Sequence, residues 1–258
     1  MRIKRPTIRL TRLSKHARIV QALLDHSSRQ NYLEIGVETG DCFLKIRARK
    51  KIAVDPHIPI GIRRKLKYIL RNPCNIRNVY AEVTSDEFFA RHDELLKEYP
   101  PAVAFVDGLH TFEQSLRDVM NALEYVGSDG VIVVHDCNPE SAAAAQPTFS
   151  IDAAAARRVD GWTGEWCGDV WKTIVHLRGT RGDLNVCVLD CDHGVGVITR
   201  ARERRPTAAL GNPTSMTYED LEANRKVILN LQPESYLDTL LAGMNVVPRS
   251  AGRFGPPP

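Results

Sequence analysis

Short apolar runs alternate with helical stretches along the first half of this chain, and this alternation limits its fold more than any other feature. Five runs have the length and composition of buried strands: residues 32–37, 51–55, 76–83, 102–107 and 130–135. Three stretches between them have helical periodicity: residues 63–71, 85–98 and 112–126. Strands that alternate with helices predict βαβ units, in which a parallel sheet is covered by helices on both faces.

The last third of the chain has a different pattern. Residues 169–178 predict a helix, and two β-rich runs at 184–190 and 194–199 are joined by a short turn. A short turn between two such runs indicates an antiparallel hairpin. We therefore predict an α/β fold with a Rossmann-like, seven-stranded and mostly parallel sheet that has one antiparallel edge hairpin and helices on both faces.

These patterns divide the chain into four parts. They are a basic N-terminal arm and helix at 1–29, the main domain at 30–200, a C-terminal helical extension at 201–247 and a disordered tail at 248–258. Residues 139–161 are rich in alanine and follow the fifth strand, where α/β folds place active-site loops. They are either a lid over a substrate or a plain surface helix.

Composition argues against several classes of protein. The 258 residues suit one domain of this kind, and the net charge of +4 is too small to favour nucleic acid as the main partner. None of the six cysteines forms a C-x-x-C pair, which argues against a zinc finger and for reduced thiols in the cytoplasm. No apolar run is long enough to span a membrane, and none follows the basic N-terminus as in a secretory signal.

A glycine-rich turn with Glu34, Gly36 and Gly40 leaves the first predicted strand. Glycines at such a turn let the backbone approach a ligand closely, because no Cβ intervenes. A dinucleotide-binding fold has G-x-G-x-x-G, whose turn holds a pyrophosphate. Here Glu34 stands in place of the first glycine, and its carboxylate would repel a pyrophosphate. It suits a ligand with an ammonium and a sulfonium group, which predicts S-adenosylmethionine rather than NAD.

Three further residues are candidates for the cofactor site. Asp55 ends the second strand, where an acid in Rossmann-like units accepts hydrogen bonds from the ribose hydroxyls. Ser85 and Asp86 follow the third strand and are candidates to contact the adenine amine. Two of these positions also have a simpler interpretation, with Asp55 as a helix cap and Ser85 as the N-cap of the next helix.

Polar side chains end the fourth and fifth predicted strands. Asp107 and His110 follow the fourth strand, and His135, Asp136 and Asn138 follow the fifth. The carboxyl ends of parallel strands meet at one edge of a sheet, so we expect these side chains to converge beside the methyl group of the cofactor. Buried polar groups need partners, and a metal ion or a substrate would supply them.

The same residues predict a mechanism. Asp107 and Asp136 offer the oxygen ligands that Mg²⁺ prefers, with His135 or Asn138 as a third ligand. A bound cation lowers the pKa of a hydroxyl group and orients it for attack. His110 is the candidate general base. The alternatives are a tight turn capped by His110 and a structural role for His135.

A second polar and aromatic stretch precedes the predicted hairpin. Trp166 and Trp171 are candidates to form the wall of a substrate pocket, because sugars and aromatic rings both pack on indole faces. Core packing is the alternative for both, and more so for Trp171. Asp169 fits an N-cap or a first-turn acid of the helix that follows.

Taken together, these motifs resemble a known family. The resemblance is to the class I S-adenosylmethionine-dependent methyltransferase domain, and most closely to metal-dependent O-methyltransferases of small molecules, including those that act on the deoxysugars of macrolide antibiotics. The segments that carry it are residues 32–40, 54–57, 105–112 with Asp118, and 131–139. It extends over residues 30–200 and implies a cofactor site at Glu34, Gly36, Gly40 and Asp55.

The resemblance also implies roles at the second cluster. In the sugar-methylating members, an aspartate after strand four and an acidic pair after strand five bind Mg²⁺, and a histidine three positions past the first aspartate is the base. Asp107, Asp136 and His110 match these places. His135 departs from the pattern, because those members have an acid there, and a nitrogen ligand favours a transition metal over Mg²⁺.

The function predicted from the sequence is O-methylation of a hydroxyl on a sugar or another small metabolite. One alternative is RNA methylation guided by the basic N-terminal arm, although the sequence contains no recognisable RNA-binding domain. Another is a non-catalytic binding module that keeps the fold, against which the intact motif residues argue. A dehydrogenase is disfavoured by Glu34. The acceptor and the oligomeric state, a homo-oligomer included, are left open.

Overall fold

A computed structural model describes residues 13–244 of the chain. The first twelve residues of the basic arm and the predicted tail at 248–258 lie outside this range. All six cysteines lie within it, and none of them forms a disulfide. Within the described range no helix combines the length and the apolar character that a membrane span requires.

One sheet organises the molecule. Its strands are β1 (Asn31–Ile35), β2 (Lys50–Val54), β3 (Val79–Ala81), β4 (Val103–Val106), β5 (Val131–Val134), β6 (Leu184–Asp190), β7 (Val195–Arg200) and β8 (Leu231–Pro233). They lie in the order β3-β2-β1-β4-β5-β7-β6-β8. Strands β1 to β5 pair in parallel, and β7 is antiparallel to both β5 and β6. The predicted fold class is confirmed.

Strand β8 is an eighth strand that the sequence did not predict, and it pairs in parallel with β6. The hairpin therefore lies inside the sheet, and β8 forms the edge. Its three residues follow Asn230, whose left-handed backbone (φ +48°) ends the preceding helix and turns the chain back onto the sheet. A segment this short has no detectable periodicity, so the sequence gives no sign of it.

Helices cover both faces of the sheet. They are α1 (Lys15–Asp25), α2 (Ile62–Arg71), α3 (Ser85–Arg91), α4 (Asp93–Glu98), α5 (Phe112–Tyr125), α6 (Ile151–Ala156), α7 (Trp171–Thr180), α8 (Tyr218–Leu229) and α9 (Tyr236–Gly243). Side chains from α3, α5, α7 and α8 share one apolar cluster with the sheet. The opposite face is covered by α1, α9 and residues 37–48, which contribute to a second cluster.

Two predicted elements differ in extent from those observed. The predicted strand at 76–83 is shorter, because Pro73–Arg77 form a 3-10 helix and only Val79–Ala81 pair with β2. The predicted helix at 85–98 is two helices that are interrupted at His92. Residues 139–161 contain the short helix α6 and the buried residues Ala143, Gln146 and Ala154, so this segment is packed against the domain.

Candidate active site

The carboxyl ends of β1, β2, β4 and β5 meet at one edge of the sheet, because these strands run in parallel. The loops that follow them bring together residues 36–40, 55–57, 107–111 and 135–138. This is the edge where ligands bind in open α/β folds. It contains both clusters of residues that the sequence predicts to be functional.

The first glycine turn has the backbone that its sequence predicts. Gly36 and Gly40 have φ values of +84° and +75°, in the left-handed region that favours glycine. A Cβ at Gly36 would lie 1.9 Å from the carbonyl oxygen of Asp107, so the turn passes directly over the end of β4. The Gly36 N–H donates to the carbonyl of Val54, 2.9 Å away, which ties the turn to β2 as well.

Asp55 holds this turn from the end of β2. Its Oδ2 accepts hydrogen bonds from the N–H groups of Val37 and Glu38, at 2.8 and 2.9 Å. Its Oδ1 accepts from the N–H of His57 at 2.9 Å. The carboxylate therefore fixes the conformation of the turn, and it lies beside the turn as a ribose-binding acid would.

Glu34 lies elsewhere than the sequence argument placed it. Its side chain points from β1 to the face that α1 covers, only 1 % of the residue is exposed, and its carboxyl group accepts a hydrogen bond from the Tyr32 hydroxyl. Burial raises its pKa to about 8. The carboxyl group is thus beneath the turn and mostly neutral at pH 7, so its charge does not supply the predicted selection against a pyrophosphate.

A second buried group accompanies Glu34 on this face. Lys51 of β2 is 0 % exposed, and its ammonium donates to the carbonyls of Phe43 and Ile46 and to Asn75 Oδ1, at 2.6 to 2.9 Å. Burial lowers its pKa to about 7. Sequence reasoning missed Lys51, because a lysine near the start of a strand usually reaches solvent.

Ser85 and Asp86 lie at the start of α3, but neither is its N-cap. Thr84 caps this helix, with Glu87 completing a capping box, so the simpler interpretation of Ser85 is wrong. Ser85 Oγ accepts from Gln114 Nε2 at 3.1 Å. Asp86 pairs with Arg117 at 2.6 Å. Both residues lie at the carboxyl end of β3, where the adenine contact was predicted, and that contact stays a prediction.

Four of the residues predicted to be catalytic or metal-binding converge at the ends of β4 and β5. His135 Nδ1 lies 3.2 Å from Asp107 Oδ1 and 3.3 Å from Asp136 Oδ2. His110 Nδ1 lies 3.3 Å from Asp136 Oδ2, and His110 Nε2 lies 3.7 Å from Asp107 Oδ1. Two carboxyl groups and two imidazoles therefore form one compact cluster, as predicted from the positions of these residues at the strand ends.

The charges in this cluster depend on one another. Burial alone would raise the pKa of Asp107, but the neighbouring imidazoles of His135 and His110 lower it overall. Burial alone would lower the pKa of His135 and of His110, but the carboxylates of Asp107 and Asp136 raise both. Each imidazole therefore favours the ionised form of the carboxyl groups beside it, and a divalent cation between those carboxyl groups would do the same.

Three residues of the segment before α7 surround His110. The Trp166 carbonyl lies 3.0 Å from His110 Nδ1, and the two rings stack with centroids 4.9 Å apart. A Cβ at Gly168 would lie 1.7 Å from the His110 carbonyl, which makes this glycine necessary. Asp169 is not the N-cap of α7; its Oδ1 accepts from the N–H of Phe112 at 2.7 Å and so holds the start of α5.

Trp171 is 1 % exposed and packs in the core, as its alternative interpretation predicts.

Asn138, the alternative third ligand, makes its side-chain hydrogen bonds to residues outside the cluster. Its Nδ2 donates to Asp190 at 3.1 Å, and its Oδ1 accepts from Arg225 at 2.5 Å. It connects the end of β5 to the hairpin and to α8. Asn138 is therefore a structural link, and His135 is the better candidate for a third ligand.

His16 and Asp192 were missed by the sequence analysis. His16, from α1, packs its ring edge-on against His135 with centroids 4.6 Å apart. Asp192, at the tip of the β6–β7 hairpin, accepts from His16 Nδ1 at 2.8 Å. A histidine near the N-terminus carries no local signal of such a contact, because only the packing of α1 over the sheet brings it there.

The comparisons with known proteins agree with this fold. Residues 33–137 match a family model described as a methyltransferase domain, which confirms the methyltransferase part of the resemblance stated from the motifs. Among curated proteins, none matches this sequence.

Solved structures resemble this chain at low sequence identity. A proposed caffeoyl-CoA O-methyltransferase from Staphylococcus aureus superimposes with a TM-score of 0.50 at 12% identity, over 78% of this chain and 86% of that one. An O-methyltransferase from Bacillus cereus in complex with SAH gives a TM-score of 0.48 at 13% identity, over 77% of this chain and 83% of that one.

Proposed function

We propose that this chain, whose residues 33–137 match the family model of a methyltransferase domain, transfers the methyl group of S-adenosylmethionine to a hydroxyl oxygen of a sugar or another small metabolite. The observation that carries the proposal is the cluster of Asp107, His110, His135 and Asp136. It lies where the glycine turn passes over β4, so an acceptor bound at the cluster would be next to the bound cofactor.

The cofactor half supports this proposal through backbone geometry. The turn at 36–40 has two left-handed glycines and is held at Asp107 and Asp55, so its shape is preorganised. We assign Gly36, Gly40 and Asp55 to the binding of S-adenosylmethionine, with Ser85 and Asp86 toward the adenine. Glu34 supports the turn from below as a buried, hydrogen-bonded carboxyl group.

A divalent metal ion fits the second cluster. Asp107 and Asp136 would hold it through carboxylate oxygens, with His135 Nδ1 as the third donor within 3.3 Å of both. Two carboxylates with one nitrogen suit either Mg²⁺ with several waters or a transition metal. When bound, such an ion would lower the pKa of the acceptor hydroxyl and orient it.

His110 is the proposed base. Its Nδ1 is held by the Trp166 carbonyl, and stacking on the Trp166 ring fixes the plane of the imidazole. Its Nε2 points toward Asp107, the side on which an acceptor oxygen would lie. Proton removal from the hydroxyl by a fixed imidazole accelerates such a transfer by about 10² to 10⁴-fold. The remaining contribution is positioning, since the transfer needs the oxygen, the methyl carbon and the sulfur in line.

A methyl-transfer assay on the purified protein tests these assignments separately. We expect S-adenosylhomocysteine to bind in calorimetry, hydroxylated sugars or phenols to be methylated, and EDTA to abolish turnover until a divalent ion is restored. Failure to bind S-adenosylhomocysteine would contradict the cofactor assignment. Methylation of RNA or amines alone would contradict the acceptor class, and full activity in EDTA would remove the metal.

A further inference from the structure

A second cluster of metal-ligating groups shares His135 with the proposed active site. It consists of His16 from α1, His135 after β5 and Asp192 from the β6–β7 turn. One ring nitrogen of each histidine and one carboxylate oxygen of Asp192 all lie within 4.8 Å of one another. Because His135 Nδ1 faces Asp107 and Asp136, Nε2 is the nitrogen that this second cluster can use.

His135 Nε2 lacks the partner that a buried nitrogen needs. It is fully shielded from solvent and has no hydrogen bond to any residue in the described part of the chain. An N–H there has no acceptor and a lone pair there has no donor, which is uncommon for buried polar atoms. A cation beside this nitrogen would take the place of the proton and satisfy it.

The other ring nitrogens have the surroundings typical of metal-binding histidines. Such a histidine usually directs its second nitrogen to an oxygen that fixes the ring and its tautomer. His135 Nδ1 lies 3.2 Å from Asp107 Oδ1. His16 Nε2 lies 2.8 Å from Ser14 Oγ, while His16 Nδ1 faces Asp192. Both rings are thus oriented by an oxygen on the side away from the shared centre.

We propose that His16, His135 and Asp192 form a binding site for a first-row transition-metal dication of the Zn²⁺ or Co²⁺ type. Two imidazole nitrogens and one carboxylate suit such ions, whereas Mg²⁺ prefers oxygen ligands alone. The side chains of His16 and Asp192 are 17% and 24% exposed, which leaves access for the ion and for a water as fourth ligand.

This site would differ from the oxygen-rich pair of Asp107 and Asp136 in both its ligands and its effect. Its ligands come from α1, from the end of β5 and from the hairpin, so an ion there would fasten the first helix to the edge of the sheet. His135 would then serve the ion through Nε2 and keep Nδ1 toward the two aspartates. The inference does not rest on the proposed methyl transfer, because binding is measured without a cofactor or an acceptor.

Calorimetry with Zn²⁺ and the visible absorption of bound Co²⁺ test the site, both in excess Mg²⁺. We expect one equivalent to bind to the full chain with the absorption of a nitrogen-containing site. His16→Gln and Asp192→Asn should each weaken binding by about 10 to 100-fold or more. His57→Gln is the matched control, because its ring is 80% exposed and faces Glu82 instead of a residue of the cluster.

Several outcomes would contradict the proposed metal site. Absence of Zn²⁺ and Co²⁺ binding in the unmodified protein would overturn the proposal and leave a hydrogen-bonded link between His16 and Asp192. Binding that survives both variants but is lost in Asp107→Asn would assign the ion to the carboxylate pair instead. Asp192 also accepts from the His16 N–H, so circular dichroism must show that each variant is folded. If Asp192→Asn unfolds, unchanged affinity in His16→Gln would by itself overturn the site.

Discussion

A Cβ at Gly36 would lie 1.9 Å from the carbonyl oxygen of Asp107. The backbones of the first glycine turn and of the end of β4 are therefore in contact, and no side chain fits between them. Each of the two proposed halves of the site, one for the cofactor and one for the acceptor, contributes one of these residues. The distance between the cofactor half and the acceptor half is consequently fixed by this backbone contact.

Gly36→Ala should destabilise the protein and abolish cofactor binding. The substitution combines a left-handed backbone with a steric overlap, so we expect a loss of about 3 kcal/mol or more in the free energy of unfolding. Thermal or denaturant unfolding measures it. Gly179→Ala in α7 is the matched control, because its nearest atom would be 3.7 Å away, and it should be neutral or slightly stabilising. Equal stability of Gly36→Ala and the native protein would contradict the close approach.

Asp55→Ala should weaken binding of S-adenosylhomocysteine by about 10 to 100-fold, because two N–H groups of the turn lose their charged acceptor. Calorimetry measures the affinity. Asp41→Ala removes a carboxylate close by in the sequence, one that is exposed and paired with Arg64, and it should leave the affinity within about twofold. An unchanged affinity in Asp55→Ala would remove this residue from the cofactor site.

His110→Ala should lower kcat by about 10² to 10⁴-fold while the affinity for S-adenosylhomocysteine stays near that of the native protein. The reason is that His110 is placed at the acceptor cluster and not at the glycine turn. His26→Ala, at the far end of α1, provides the control for loss of an imidazole. A normal kcat in His110→Ala would end its assignment as the base.

Glu34→Gln should change how stability depends on pH. The ordinary pKa of a glutamate is 4.5 and that of folded Glu34 is about 8, so from pH 5 to 6.5 the folded state keeps a proton that the unfolded state has lost. The free energy of unfolding then falls as the pH rises, by up to about 1.4 kcal/mol per pH unit. Lys51, with a folded pKa of about 7, stays mostly protonated in both states over this window.

Denaturant titrations at several pH values measure this contribution. The free energy of unfolding should fall less steeply with rising pH in Glu34→Gln than in the native protein. Glu38→Gln, on the exposed side of the turn, should keep the native slope. Identical slopes in all three proteins would mean that Glu34 is ionised in the fold at neutral pH.

Most of the sheet could be predicted because its strands are short, apolar and separated by amphipathic helices. The site at the ends of β4 and β5 could also be predicted, since Asp107 and Asp136 lie within two residues of the ends of adjacent parallel strands. The position of Glu34 could not be predicted in this way. The alternation of β1 decides which face of the sheet a side chain lies on, and the predicted strand ended two residues after the observed one. His16 and Asp192 depend on contacts between segments 176 residues apart, which no local pattern indicates.

The segment between β5 and α7 holds His110 through main-chain atoms as well as through the side chains of Trp166 and Asp136. The carbonyl of Trp166 lies against the imidazole, the N–H of Asp169 donates to the His110 carbonyl at 3.3 Å, and the Ala144 carbonyl accepts from Cys167 and Gly168. Contacts of this kind persist when most side chains in the segment are exchanged. Evolution or design can therefore remodel the surface offered to an acceptor here, and so alter selectivity, while the imidazole keeps its place.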